Sequence, residues 1–505
     1  MKKILVNHES WQKRVAVLDC DRLQDLYLGS TANDELEKCF FKGNVAKVLP
    51  GIQTAFVDIG VSKAGFLHIT EIDRTLALER MAESEQVDEP DKLLAMERNI
   101  KRTMDIAKIF REGEDVLVQV IKEPIHEKGA KLSTCFTLPG KFVVLMPNIP
   151  QLGVSKKIEN REERSRLREL VKEQLSDEMG AIIRTNADGR AAKDIKKDLS
   201  ILIDTWKGIQ KKFKTAKQGE SLFNDLPIFL RAVREHLDDD VESIICDSQE
   251  DFDLVKAFIK KTMPELAHTL KLYSGDQEIF EYYDIDRQIE EALNKKVHLK
   301  SGGTLIIELT EAMAVIDVNT GKFIGRGSLE ETILKTNLEA ADEIVRQLRL
   351  RNIGGLIVID FIDMGKPSAR QKLSRHLEKA LKERDKFQSV TLKVSEFGLV
   401  QMTRKRSGKT LAQQFLQECS ACKSYGYVRA TPTLSYEILR AAKGNIQRDK
   451  LKGRLSLKVS PAIFSHLVDN EFGAVLQLEK DLAVKVVLES SCDLTNANFV
   501  LQAEK

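Results

Sequence analysis

The chain has 505 residues and carries 79 Lys and Arg against 77 Asp and Glu, a formal charge of +2, so it is too long for one ordinary core and its charge balance names no partner. No apolar run approaches the ~20 residues of a membrane span, and the opening MKKILVNHES lacks an apolar signal core, so no membrane span and a cytoplasmic location are expected. Of the seven cysteines, Cys20, Cys39, Cys135, Cys246 and Cys492 are scattered singly, which suits reduced thiols better than a disulfide framework.

Residues 3–7, 14–19 and 23–28 read as strands. From about 41 to 134, short β-segments at 42–48, 55–60, 65–69 and 116–120 with Gly turns suggest a small barrel, interrupted by a charged insertion at 71–111. The string FVDIGVSKAGFLHITEI sets Phe56, Phe66 and a His on one barrel face among Lys42, Lys47 and Lys63. Bases stack on aromatic rings at ~1–3 kcal/mol each while lysines hold phosphate. The competing reading makes both Phe core residues, the usual fate of Phe. Residues 140–229 are mixed, with strands at 142–146 and 181–184 and helices at 159–175 and 191–214. The second strand ends in Arg184 and Thr185, a guanidinium and a hydroxyl fit to grip a terminal phosphate.

After residue 291 the texture becomes strand, helix, strand, helix, the pattern of an α/β sheet with sites at strand ends. A helix ending near Arg351 shows a stripe of Leu334, Leu338, Ala341, Val345 and Leu348. On either side of it, AVIDVN (314–319) and GLIVIDFID (355–363) each end a buried apolar run in a carboxylate. A charge there is costly unless paired or bound to a metal, so Asp317 and Asp360 call for a hard divalent cation. Asn319 shares a strand face with Asp317. For either Asp alone, a helix cap or an arginine partner is the plainer alternative. The basic run MTRKRSGK (402–409) would meet a polyanion beside such a site. Cys419 and Cys422 form a C-x-x-C with no second pair and no nearby His. Two thiolates cannot complete a four-ligand zinc site, which leaves a redox pair, a half-site shared between two chains, or incidental thiols.

Taken together, these residues resemble the ribonuclease E/G family. The matching strings are VLPGIQTAFVDIG (48–60), GVSKKIE (153–159), IIRT (182–185), LKSGGTLIIELTEAMAVIDVNTGKFIG (299–325), TNLEAADEIVRQLRLRNIGGLIVIDFIDM (336–364), GLVQMTRKR (398–406) and CSAC (419–422). They follow the family's order nearly end to end. The resemblance implies an α/β multidomain chain: an RNase H-like domain split between 1–34 and 231–292, an OB-fold RNA-binding domain at 35–134 and a 5′-sensor domain at 135–230. A DNase I-like catalytic domain at 293–412, a zinc link at 413–428 and a small dimerisation domain at 429–505 complete it.

The implied activity is Mg2+-dependent endonucleolytic cleavage of single-stranded RNA, with preference for 5′-monophosphorylated substrates, leaving 5′-phosphate and 3′-hydroxyl ends. The roles implied are rRNA and tRNA maturation and mRNA decay. By position, Asp317 and Asp360 hold Mg2+ with Asn319 supporting them, and Arg184 and Thr185, with backbone help at Gly140 and Val144, bind the 5′-phosphate. Phe56, Phe66 and Lys128 contact RNA, and Cys419 and Cys422 hold a structural Zn2+ shared between two protomers of a homodimer, or of a homotetramer. The chain departs from the family at Lys38, Cys39, Phe40, Phe41, Glu308, Lys156, Lys157, Ser424 and Tyr425, and the basic residue that would support the 5′ sensor near Lys386 is shifted or absent. A non-catalytic RNA-binding scaffold is the alternative, and it leaves the two aspartates without a use.

Overall fold

The computed structural model describes residues 2–30, 36–85, 104–124, 129–320, 329–406, 408–419, 422, 426–494 and 498–503, and the chain divides into two compact units, Met1–Ala412 and Gln413–Lys505. The first unit opens with an antiparallel meander of Lys2–His8, Gln12–Asp19 and Arg22–Ser30. Successive strand residues point to opposite faces, so Ile4, Val6 and Val15 enter one core while Leu5, Ala16, Leu18 and Leu23 enter another. A sheet that is apolar on both faces needs cover on both, and distant sequence supplies it. Val241–Cys246 joins parallel to Lys2–His8 with Ile244 opposite Ile4, and Leu270–Leu272 extends the sheet outward.

Two insertions lie between those halves. In the first, Phe40–Leu49 pairs with both Thr54–Asp58 and Asp115–Lys122, while Gly65–His68 and Lys131–Ser133 complete the ring. The result is a closed barrel of five strands, consistent with an OB-fold and filled by Ala55, Val57, Leu67, Val118 and Leu132. Of the charged insertion expected at 71–111, the helices Arg74–Glu85 and Ile106–Ile109 are described and residues 86–103 are not. The second insertion packs the helices Arg161–Lys172 and Ala192–Thr215 against a small four-stranded sheet. Its Phe142, Val143, Ile183, Leu199 and Trp206 share one core with Ile4 and Val6, which makes it continuous with the first sheet.

The remainder of this unit is a six-stranded sheet in the order Lys296–His298, Thr304–Leu309, Met313–Asn319, Gly355–Asp360, Leu399–Arg404, Ser389–Thr391. Met313–Asn319 and Gly355–Asp360 run parallel, and the helix Leu329–Leu350 makes the crossover that parallel neighbours require. That helix and Pro367–Arg384 cover the same face: Ile316, Val318, Ile357 and Ile359 share a core with Ala341, Val345, Leu348, Leu373 and Leu377. The two aspartate strands were expected to be buried along their length, and here the structure differs. Val315 and Val358 are half-buried and Leu356 is exposed, so the opposite face of the sheet is open. Arg404 and Asp385, both fully buried, join the outer strands to the body through hydrogen bonds of 2.7 and 3.0 Å.

In the second unit, Gly453–Val459 runs parallel to Val484–Ser490 and antiparallel to Val500–Ala503, packed with the helices Thr431–Arg448, Pro461–Asp469 and Phe472–Leu482. Among the described residues no helix is long and apolar enough to cross a membrane.

Candidate functional site

Asp317 and Asp360 are direct register partners on the two parallel strands. Adjacent strands lie about 4.8 Å apart, so the two carboxylates share one stretch of the open face. Asp317 is half-buried and Asp360 exposed, which corrects the expectation of charges forced into a core. Strand alternation sends Ile316, Val318 and Ile359 inward and the acids outward. The acids are nonetheless in unfavourable company. Desolvation, followed by the like charges of Asp317 and Asp363, raises Asp360 above the ordinary carboxylate range, and no basic group is among the causes. Asn319 donates Nδ2 to Asp317 Oδ2 at 2.7 Å, which fixes that carboxylate and leaves its charge in place.

An all-oxygen donor set with uncompensated negative charge fits a hard divalent cation of the Mg2+ type. Among the described residues no third His, Cys, Asp or Glu completes a preformed cluster. That also suits Mg2+, which is commonly held by one or two carboxylates and retains waters or substrate oxygens.

The turn that carries Asp360 into Asp363 is pinned on three sides. Phe361 N–H donates to the Gly398 carbonyl at 3.3 Å, and Gly398 has φ +75 with room for no Cβ, which would lie 2.5 Å from the Phe361 carbonyl. The buried Asn337 amide donates to the Ile362 carbonyl at 2.8 Å and accepts from Ile362 N–H at 3.1 Å. Arg370 donates to the Met364 carbonyl at 2.6 Å. Asn337 escaped the sequence reading, yet a signal was present. It stands three residues after Leu334 and four before Ala341, inside the apolar stripe, where a polar side chain must find partners.

Arg184 follows the strand Gly180–Ile183. Its Nη1 donates to the Gly140 carbonyl at 2.7 Å and to Glu235 Oε1 at 3.2 Å, and its Nη2 donates to Glu235 Oε2. A guanidinium has five N–H donors, so the Nε edge is left over. The exposed Thr185 hydroxyl meets Ser155 Oγ at 3.0 Å. Gly140 therefore faces Arg184 with its carbonyl, and its own N–H is committed to the Val143 carbonyl at 2.8 Å. Val144 sits in Val143–Met146, opposite Pro139 and Ile182. Asp198 holds this turn by accepting from the N–H groups of Lys141, Phe142 and Val143 at 3.2, 2.8 and 3.1 Å. Glu235 had no sequence signal of its own. Lys386 does reach this region: its ammonium bonds the Tyr27 hydroxyl, lies 5.0 Å from the centre of the Tyr27 ring, and helps lower Glu235.

On the barrel, Phe56 lies opposite Phe66, Lys47 opposite Phe56, and Lys131 opposite Phe66. Four strands thus carry a row with a lysine at each end and two rings between. Both rings are half-buried and lie outside the barrel core, whereas their neighbours Ala55, Val57 and Leu67 are inside it. Lys47 is exposed, and Lys131 is paired with Glu71. Lys128 lies outside the described residues.

In the second unit Cys419 is exposed and Cys422 half-buried. Gly426, at φ +76, donates its N–H to Cys422 Sγ at 3.4 Å. Two thiols at this spacing with an N–H···S donor fit half of a tetrahedral zinc site.

The family model described as Ribonuclease E/G family matches residues 137–407, and one described as RNase E/G, Thioredoxin-like domain matches residues 418–504. The chain is 37% identical over 477 residues to Ribonuclease G of Salmonella typhimurium (strain SL1344), covering 94% of each. It is 38% identical over 475 residues to Ribonuclease G of Haemophilus influenzae, covering 94% of this chain and 93% of that one. Ribonuclease E of Haemophilus influenzae is 34% identical over 502 residues, which span 99% of this chain and 52% of that protein.

Proposed function

The chain belongs to the ribonuclease E/G family and is an endoribonuclease, and from that premise we propose that it hydrolyses single-stranded RNA at Asp317 and Asp360 with the help of a bound Mg2+. The observation that carries this reading is the carboxylate pair in register on the open sheet face, with Asp360 raised by desolvation and then by its acidic neighbours. A divalent cation there would supply Lewis acidity toward a phosphoryl oxygen and a more acidic water. The protein's own part is to hold the two carboxylates at fixed separation, with Asn319 orienting Asp317 and the pinned turn orienting Asp360. In the hydrolysis, water adds to phosphorus and the P–O3′ bond breaks. The upstream fragment takes a proton at its 3′-oxygen, and the downstream fragment keeps a 5′-phosphate.

Substrate is held on two surfaces in this reading. The Lys47, Phe56, Phe66, Lys131 row takes a single strand by stacking and phosphate contact, with Lys128 adding charge. Arg184 and Thr185, beside Gly140 and Val144, receive a 5′-monophosphate through the Nε edge and the hydroxyl. Cys419 and Cys422 hold a zinc ion shared with a second chain, so the working enzyme is a homodimer or a homotetramer. Work on rRNA and tRNA precursors and on mRNA in the cytoplasm completes the proposal. The test is incubation of the purified protein with a 5′-monophosphorylated oligonucleotide, with EDTA or with Mg2+. Cleavage only with Mg2+, giving 3′-hydroxyl ends, supports the reading; equal cleavage in EDTA rejects the cation.

A further inference from the structure

We infer that Asn337 is a positioning residue for the cation site, its amide setting the Asp360–Asp363 turn against Asp317. The inference rests on the reading of Asp317 and Asp360 as the cation's carboxylates. Asn337 lies within the helix Leu329–Leu350 and is fully buried, in a place where the stripe calls for an apolar side chain. A buried amide is tolerated only when its donor and acceptor are both used. Both are spent on one residue: Nδ2 reaches the Ile362 carbonyl at 2.8 Å and Oδ1 receives the Ile362 N–H at 3.1 Å. The amide thus behaves as one more strand segment, pairing with a backbone that has just left the sheet at Asp360.

Ile362 is two residues past Asp360 and one before Asp363, so the clamp fixes the backbone between the two acids. Without the clamp, only the Phe361–Gly398 and Arg370–Met364 bonds would hold the turn that carries the two carboxylates. Held in place, they keep a negative potential ready for a cation at no further cost in reorganisation. Groups that orient metal ligands from behind typically change metal affinity by 10- to 100-fold when removed.

The test uses the full chain without RNA, with Mn2+ as the probe, read by electron paramagnetic resonance. Asn337→Ala removes the clamp. The isosteric Asn337→Asp keeps the packing and the acceptor for Ile362 N–H but turns a carboxylate oxygen toward the Ile362 carbonyl, so it tests the same contact if the alanine variant does not fold. Asp360→Asn is the control. The expected result is Mn2+ affinity weakened by about 10- to 100-fold in the Asn337 variants. The Mg2+ half-saturation of cleavage should rise by the same factor, KM for RNA should stay unchanged, and saturating Mg2+ should restore most of kcat. Wild-type Mn2+ affinity in a folded Asn337 variant, with Asp360→Asn deficient, overturns the inference alone. Wild-type protein whose Mn2+ binding does not respond to Asp360→Asn overturns the cation reading beneath it, and the inference with it.

Discussion

Truncating Phe56 tests whether the barrel row is a binding surface or a displaced piece of core. Phe→Ala in a core costs about 3–5 kcal/mol of stability, whereas loss of a stacked base costs ~1–3 kcal/mol of binding. The structure favours the second, because Phe56 and Phe66 face each other outside the cluster that Ala55, Val57 and Leu67 fill. At 1.4 kcal/mol per tenfold, each of Phe56→Ala and Phe66→Ala should weaken binding of a labelled single-stranded oligonucleotide by about 5- to 150-fold. Fluorescence anisotropy measures this with the aspartate site disabled, so that no substrate is consumed. Lys47→Ala should act differently, lowering the slope of log K against log salt by about 0.7, the share of one phosphate on a single strand. Either Phe variant unfolding at markedly lower urea concentration, while the folded protein binds RNA as tightly as wild type, would make these rings core residues and not a binding surface.

Arg184→Gln should narrow the rate difference between 5′-monophosphate and 5′-hydroxyl substrates and leave cleavage of 5′-hydroxyl RNA unchanged; a wild type that cuts both equally would show that the Nε edge reads no phosphate. Zinc analysis of the purified protein should find about one ion per two chains, and Cys419→Ser with Cys422→Ser should shift the mass in solution toward a single chain; one zinc per chain would place the missing ligands within the same protomer. Burial pushes His236 down from 6.5 to about 3, in contact with the Tyr27 hydroxyl. Its folded pKa lies below the unfolded one, so its contribution is present above pH 6.5 and is lost as pH falls toward 3, at about 1.4 kcal/mol per pH unit. Urea unfolding at pH 7 and 5 should show that slope, and His236→Gln should flatten it. Asp25, held low by His236 and Arg349, loses its contribution only below the ordinary carboxylate range and so leaves this window clear.

Where the sequence was legible, a period or a spacing carried the information. The stripe through Ala341, Val345 and Leu348 is buried as spaced, and the strands ending in Asp317 and Asp360 lie side by side. Three-residue strands such as Leu152–Val154 and Ser221–Phe223 carry no sequence signal, because so short a run shows no period. The exposure of the aspartates differs from the expectation for another reason. A run of Val and Ile looks the same whether one face or both are covered, and only the placement of both helices on one side left the other open. Glu235 and Asn337 needed the tertiary structure altogether, since each acts on a residue brought near by the fold: Arg184 for the first and Ile362 for the second.

Cleavage by Asp317→Asn is the most direct measurement of the central claim. This variant keeps the shape and the hydrogen-bonding neighbourhood of Asn319 while removing one of the two register-paired charges. In a single-turnover assay with Mg2+ and a 5′-monophosphorylated single strand, it should bind the RNA with wild-type affinity and leave it uncut. Cleavage near the wild-type rate would mean that the carboxylate pair on the open sheet face is not the catalytic centre.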